Sequence, residues 1–278
     1  MKKRKIRIPR LLLILLLAFA CLAADSSLRI VTTEYELAYP DLPEAFSGFR
    51  ILQLSDVHGA VFGEGNARLL RRAAETAPDV IVLTGDLADR QTDLADTDAL
   101  LAGLVQIAPV FYVSGNHEWS AKLLDALDEL FRRYGVTRLT NDYLSLERGG
   151  ERIVLAGVDD PNGRKDMEKP DALLARLRVE YPSEFVLLLG HRNDWPEKYP
   201  ELPADLILCG HAHGGMIRIP GVGGLLGTDR TLFPDYTAGV YPMRYGRMLV
   251  SRGLGSSTAA IPRLFNNPEL VAITLKTE

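Results

Sequence analysis

Residues 80–118 read VIVLTGDLADRQTDLADTDALLAGLVQIAPVFYVSGNHE. An apolar run, Val80–Leu83, stops at Gly85-Asp86. An amphipathic stretch from Asp93 to Ile107 follows. A second apolar run, Val110–Val113, stops at Gly115-Asn116-His117-Glu118. Short uninterrupted apolar runs suit strands buried on both faces, and strands alternating with amphipathic helices specify an α/β fold.

The pattern extends both ways. Upstream, Ile51–Leu54 stops at Asp56-Val57-His58, and Asn66–Thr76 has helical periodicity. Downstream come a helical stretch, Ala121–Tyr134, a run at Ile153–Ala156 and another helical stretch at Asp171–Glu180. Two further runs, Phe185–Leu189 and Leu206–Cys209, stop at Gly190-His191 and Gly210-His211-Ala212-His213. After His213 the chain turns to Gly- and Pro-rich loops with short strands at Arg247–Ser251 and Leu270–Leu275. An alternating run, Leu28–Leu37, reads as an edge strand, followed by a Pro-containing link, Tyr39–Ser47.

Ligands of open α/β sheets gather at the carboxyl ends of strands. Five motifs in that position predict one convergent site. A single histidine after a strand is more often structural or solvated. Here all 5 histidines of the chain, 58, 117, 191, 211 and 213, fall in these motifs. Carboxylates, imidazoles and an amide oxygen suit a hard or borderline divalent metal rather than a thiolate site. On an extended chain end, residues i and i+2 point the same way, which predicts that Asp56 joins His58 and that His211 joins His213. The preceding glycines are expected to let the backbone turn sharply.

The 278 residues, 47% hydrophobic and 24% charged, are enough for a buried core. The formal net charge is -4 although the N-terminus is basic, so the remainder is more acidic still. That argues against a nucleic-acid groove, and no nucleic-acid partner is expected. The two cysteines, Cys21 and Cys209, give no disulfide framework.

Met1–Arg10 reads MKKRKIRIPR and Leu11–Ala24 reads LLLILLLAFACLAA. A basic start, an apolar run and small residues mark an export signal. As a helix the run spans about 21 Å against a hydrocarbon core of about 30 Å. Residues 1–24 are therefore read as a signal peptide or short membrane anchor. Residues 25–278 are read as one catalytic domain, anchored outside the cytoplasmic membrane or secreted. Cys21 follows Ala18-Phe19-Ala20, a poor match to a lipid-attachment site.

The ordered set Asp-x-His, Gly-Asp, Gly-Asn-His-Glu, Gly-His and Gly-His-x-His, from Asp56 to His213, resembles the calcineurin-like metallophosphoesterase superfamily. Gly214–Arg218, Ser251–Gly255 and Gly48–Ile51 are similar to its membrane-associated bacterial branch. The resemblance implies two mixed β-sheets packed as a sandwich and flanked by helices in four layers. It implies two divalent ions, of manganese, iron or zinc. One would be held by Asp56, His58, Asp86 and His213, the other by Asp86 as bridge, Asn116, His191 and His211. A hydroxide between them would attack phosphorus. His117 would stabilise the transition state or protonate the leaving oxygen, oriented by Asp89 or Glu118. Independently of the resemblance, Arg192 beside His191 reads either as a contact to the substrate phosphate or as a solvated surface arginine.

Departures from relatives narrow the activity. Purple acid phosphatases carry tyrosine three positions after the bridging aspartate, where this chain has Asp89. Protein Ser/Thr phosphatases carry Gly-Asp-x-Val-Asp-Arg-Gly and an arginine before Gly-Asn-His-Glu. Here the stretch is Gly85-Asp86-Leu87-Ala88-Asp89-Arg90-Gln91, and Ser114 precedes Gly115. The expected activity is hydrolysis of a phosphodiester or phosphomonoester, on a lipid- or envelope-linked substrate. A UDP-2,3-diacylglucosamine hydrolase-like pyrophosphatase and a catalytically silent metal-binding scaffold are the alternatives.

Overall fold

A computed structural model describes residues 10–256 and 263–278. Helix α1 (Arg10–Leu28) leads into β1 (Val31–Tyr39), β2 (Arg50–Leu54), α2 (Ala67–Glu75), β3 (Val80–Thr84), α3 (Leu94–Leu104) and β4 (Val110–Val113). Then come α4 (Asn116–Ala121), α5 (Leu124–Tyr134), β5 (Thr137–Arg138), β6 (Asp142–Arg148), β7 (Glu151–Gly157), α6 (Pro170–Glu180), β8 (Val186–Leu189), α7 (Trp195–Lys198) and β9 (Leu206–Cys209). The chain closes with the short strands β10 (Arg218–Ile219) and β11 (Gly223–Gly224), then β12 (Gly239–Pro242), β13 (Arg247–Val250) and β14 (Glu269–Thr277).

Two six-stranded mixed sheets result, in the orders β1-β14-β2-β3-β4-β5 and β12-β13-β9-β8-β7-β6. In the first, β2 to β5 run parallel and β14 inserts antiparallel to β2. In the second, β7, β8, β9 and β13 run parallel, with β6 and β12 antiparallel at the edges. Register keeps the carboxyl ends level: Leu54 faces Leu83, Thr84 faces Val113, and Leu189 faces Leu208. The motifs that follow those residues are thereby delivered to one edge of the molecule.

Strand periodicity explains the layering. Along β3, Val80 and Val82 point between the sheets, where they meet a core containing Phe111, Leu187 and Leu208. Ile81 and Leu83 point the other way, onto Leu69 of α2 and Leu100, Leu101 and Leu104 of α3. The second sheet repeats this, with Val186 and Leu188 against Leu173, Leu174 and Leu177 of α6. Both faces of both sheets are covered, which is why the central strands read as unbroken apolar runs. This helix–sheet–sheet–helix order is the four-layer α/β arrangement that the resemblance implied.

Several boundaries differ from expectation. Helix α1 continues through Asp25-Ser26-Ser27, because Asp25 pairs with Arg29 at 2.7 Å one turn on and buried Ser26 accepts the Phe265 N–H at 3.0 Å. The edge strand begins at Val31 rather than Leu28. The stretch expected as one helix over Ala121–Tyr134 is split where Lys122 turns left-handed at φ 58°, and its first part reaches back into the Asn116-His117-Glu118 motif. The basic start, apart from Arg10, lies outside the described residues. Among the described residues, no helix is long and apolar enough to cross a membrane.

Candidate metal centre

The first three motifs leave the first sheet: Asp56 and His58 after β2, Asp86 after β3, Asn116 and His117 at the start of α4 after β4. His191 leaves β8 of the second sheet, and His211 and His213 leave β9. All meet at the shared edge. Three sets of potential ligand atoms lie within 4.8 Å of one another: Asp56, His58 and His213; His58, Asp89 and His117; Asp86, His191 and His211. Asp86 Oδ2 lies 3.6 Å from His58 Nε2 and 3.2 Å from His191 Nε2, between the outer two sets. Asn116 Oδ1 lies 3.2 Å from His191 Nε2.

The backbone achieves this convergence by a route the sequence did not suggest. Asp56, His58, Asp86, His211 and His213 all have positive φ, between 47° and 64°. The extended i, i+2 geometry expected for Asp56-His58 and His211-His213 is therefore absent, and His211 and His213 enter different ligand sets. Left-handed turns at these residues direct the side chains instead, at a cost of about 1–3 kcal/mol each. Of the glycines before Asp86, Asn116, His191 and His211, Gly85 alone adopts positive φ, at 82°. Gly115 and Gly210 are instead required by crowding: a Cβ would overlap Asp86 Oδ1 at the first and Asp56 Oδ2 at the second.

Hydrogen bonds fix the ring orientations. His191 Nδ1 is 2.9 Å from the Thr84 carbonyl, so that nitrogen carries the proton and Nε2 faces Asp86 and Asn116. Asp89 Oδ2 lies 3.4 Å from His58 Nδ1 and directs His58 Nε2 toward Asp86. Glu118 is fully buried; its carboxylate accepts the backbone N–H groups of Asp86, Ala88 and Gly115 at 2.9–3.1 Å. Neither acid forms an ion pair with His117 in the structure. Asp89 supports His58, and Glu118 fixes the loop that presents Asp86.

Electrostatics separate the five imidazoles. Burial pulls His191 down, but Asp86 overcomes it and holds the ring up at about 10. His58 is raised in the same way, with Asp89 and Asp86 outweighing its burial. Burial, then the neighbouring His191 and Arg192, push His211 down to about 2. Burial also lowers His213 and His117. Asp86 is held below the ordinary carboxylate range because His191, His58 and the His117 N–H outweigh its burial. Burial and the Asp86 charge raise Glu118 to about 7.

The residues fit a divalent ion on their own chemistry. His58 Nε2, Asp86 Oδ2 and His213 Nδ1 are buried without a hydrogen-bond partner. Such atoms are costly unless something binds them. The donors are oxygens and imidazole nitrogens with no sulfur, as expected for a hard or borderline metal.

Arg192 lies at the rim, with Nη1 3.4 Å from His211 Nε2, and a two-pronged pair with buried Asp160 at 2.7 and 3.1 Å holds it there. Asp160 was not singled out from the sequence, although it follows the apolar run of β7 just as the motifs follow theirs. Thr228, whose Oγ1 is 3.2 Å from His211 Nε2, carried no signal in its loop. Trp119 is structural: its Nε1–H donates to Ser114 Oγ at 2.8 Å.

Comparison with known proteins follows the same residues. Residues 49–215 match the calcineurin-like phosphoesterase family model. An uncharacterized metallophosphoesterase of Bacillus subtilis (strain 168), YkuE, is 31% identical over 255 residues, covering 89% of this chain and 86% of that protein. A second, from Aquifex aeolicus (strain VF5), is 30% identical over 87% of this chain and 90% of its own length. A protein of Escherichia coli (strain K12) named as the phosphodiesterase YaeI is 29% identical, with 82% of each chain covered.

Proposed function

Because the chain belongs to the calcineurin-like phosphoesterase family and is a metal-dependent phosphoester hydrolase, we propose that it cleaves phosphodiesters at a dinuclear centre. The observation that carries the diester reading is the shape around the ligand cluster. One groove leaves His191 and Arg192 along Asp160 and Trp195, and another leaves Arg192 and His211 along Thr228 and Tyr236. A monoester needs room for one substituent, whereas a diester needs room for two. The name of the Escherichia coli relative supports the same choice.

In this reading Asp56, His58, Asp86 and His213 hold one ion, and Asp86, Asn116, His191 and His211 hold the other. Bound there, the ions supply positive charge to the phosphoryl oxygens and lower the pKa of a water. The protein supplies the rest. Arg192, steadied by Asp160, meets the non-bridging oxygens. His117, half-buried and fixed through its backbone N–H to Asp86 Oδ1 at 2.8 Å, faces the cleft where the ester oxygen leaves. Its ring serves the leaving oxygen by hydrogen bonding or proton donation.

A membrane-surface substrate is the finer part of the proposal. Its support is the basic start of the chain and helix α1, whose Leu12, Leu13, Ile14, Leu16, Leu17 and Phe19 are exposed. The test is turnover of bis-p-nitrophenyl phosphate and p-nitrophenyl phosphate by chelator-treated protein with manganese, zinc or iron restored. The expected result is metal-dependent turnover with the diester preferred, lost in Asp86→Asn and reduced about 100-fold in His117→Ala. Preference for the monoester would overturn the diester reading, and turnover without metal would overturn the centre.

A further inference from the structure

The groove that leaves His191 and Arg192 carries an unbalanced charge. It runs between residues 161–169 and helix α7, with a volume of about 250 Å³ and an apolar floor that includes Met167, Trp195 and Tyr199. A cavity of about 150 Å³ already accepts benzene, so a ring with a substituent fits here. Trp195 is 5% exposed, and its Nε1–H has no partner among the described residues.

Each acid lining this groove has a basic partner, although Arg138 is shared with Asp128 and Arg176 with Asp142. Asp159 pairs with Arg138, Asp160 with Arg192, Glu168 with Arg176 and Asp194 with Lys198. Arg164, Lys165 and Lys169 stand exposed along the rim with no ion-pair partner among the described residues. Asp166, in the same segment, lines a neighbouring depression that shares Arg164 with this groove. Three cations against one adjacent acid leave a positive rim on a groove that shares Arg192 with the cleft over the ligand cluster.

We propose that this groove binds a second phosphate carried on one substituent of the diester, an inference that rests on the diesterase reading. A phosphate dianion offers three acceptor oxygens to the three free cations, and nearby positive potential draws such a substrate in. The apolar floor takes the body that joins the two phosphates. Arg192 stands where the groove meets the cluster and so marks the boundary between the reacting phosphate and the recognised one.

The probes are thymidine 5′-(p-nitrophenyl phosphate) and its 3′-phosphorylated form, assayed with the manganese-loaded full chain. The phosphorylated ester is expected to show kcat/KM about tenfold higher, the sum of several exposed ion contacts. The triple variant Arg164→Ser, Lys165→Ser, Lys169→Ser is expected to lose that preference while turning over bis-p-nitrophenyl phosphate as before, which also shows that it is folded. Equal kcat/KM for the two thymidine esters in the unaltered protein, or a preference that survives in the triple variant, would overturn the proposal. Turnover of bis-p-nitrophenyl phosphate but of neither thymidine ester would sink the groove and leave the diesterase standing. No diester turnover at all would remove the reading on which both rest.

Discussion

Asp86 accepts the His117 N–H on one oxygen and faces His58 and His191 with the other, so a single side chain joins the two halves of the centre. In the metal-free protein the neighbouring imidazole His191 is held up at about 10 from an ordinary 6.5. Between those values His191 must give up its proton before Nε2 can ligate, so metal binding releases a proton. Affinity should therefore rise with pH by about tenfold per unit in that window. Manganese titrations at several pH values would show it, and a pH-independent affinity would contradict the assignment of His191. Asp89→Asn should weaken metal binding about 10- to 100-fold by releasing the His58 ring, with little change in thermal stability. Isothermal titration reads the first and a melting curve the second. Residue identities at the centre were legible in the sequence because every histidine closes an apolar run. The left-handed turns at the ligands were not, since nothing in Asp-Val-His or His-Ala-His distinguishes a left-handed turn from an extended one. Asp160 was missed because a carboxylate with no histidine beside it resembles any surface acid.

At the scale of elements, the central strands were legible because they are covered on both faces, and edge strand β1 because its residues alternate. β3 and β8 carry no polar residue to interrupt them before the end of the run. Edge strand β6 was not anticipated: its middle residues, Tyr143–Leu146, are uniformly half-buried, its ends are exposed and its partner lies on one side only. β5 is two residues long, too short to carry a pattern. Helix α4 was hidden because the motif itself opens it. The outer layers contribute stability without touching the chemistry. Leu101 of α3 is fully buried against the first sheet, so Leu101→Ala should cost about 2–5 kcal/mol in urea unfolding. The turnover of the folded fraction should remain unchanged. A loss smaller than about 1 kcal/mol would mean that the helix layer is not packed as described.

Taken whole, the molecule is two mixed sheets pressed together so that the carboxyl ends of their parallel central strands share one site. Gln53, fully buried, ties them there: its amide donates to Thr84 Oγ1 at 3.0 Å on the first sheet and to the Cys209 carbonyl at 2.9 Å on the second. Gln53→Met should therefore weaken metal binding more than it lowers the melting temperature, because the ligands of the two sheets lose their common reference. Equal effects on both would show that the tie serves the core alone. The central claim is that ligands from both sheets assemble a two-ion centre bridged by Asp86. Anomalous diffraction from manganese-soaked crystals tests it most directly. The account predicts two peaks about 3.5–4 Å apart with Asp86 between them, and loss of the pair in Asp86→Asn. A single peak bound by one sheet, or none at these strand ends, would contradict it.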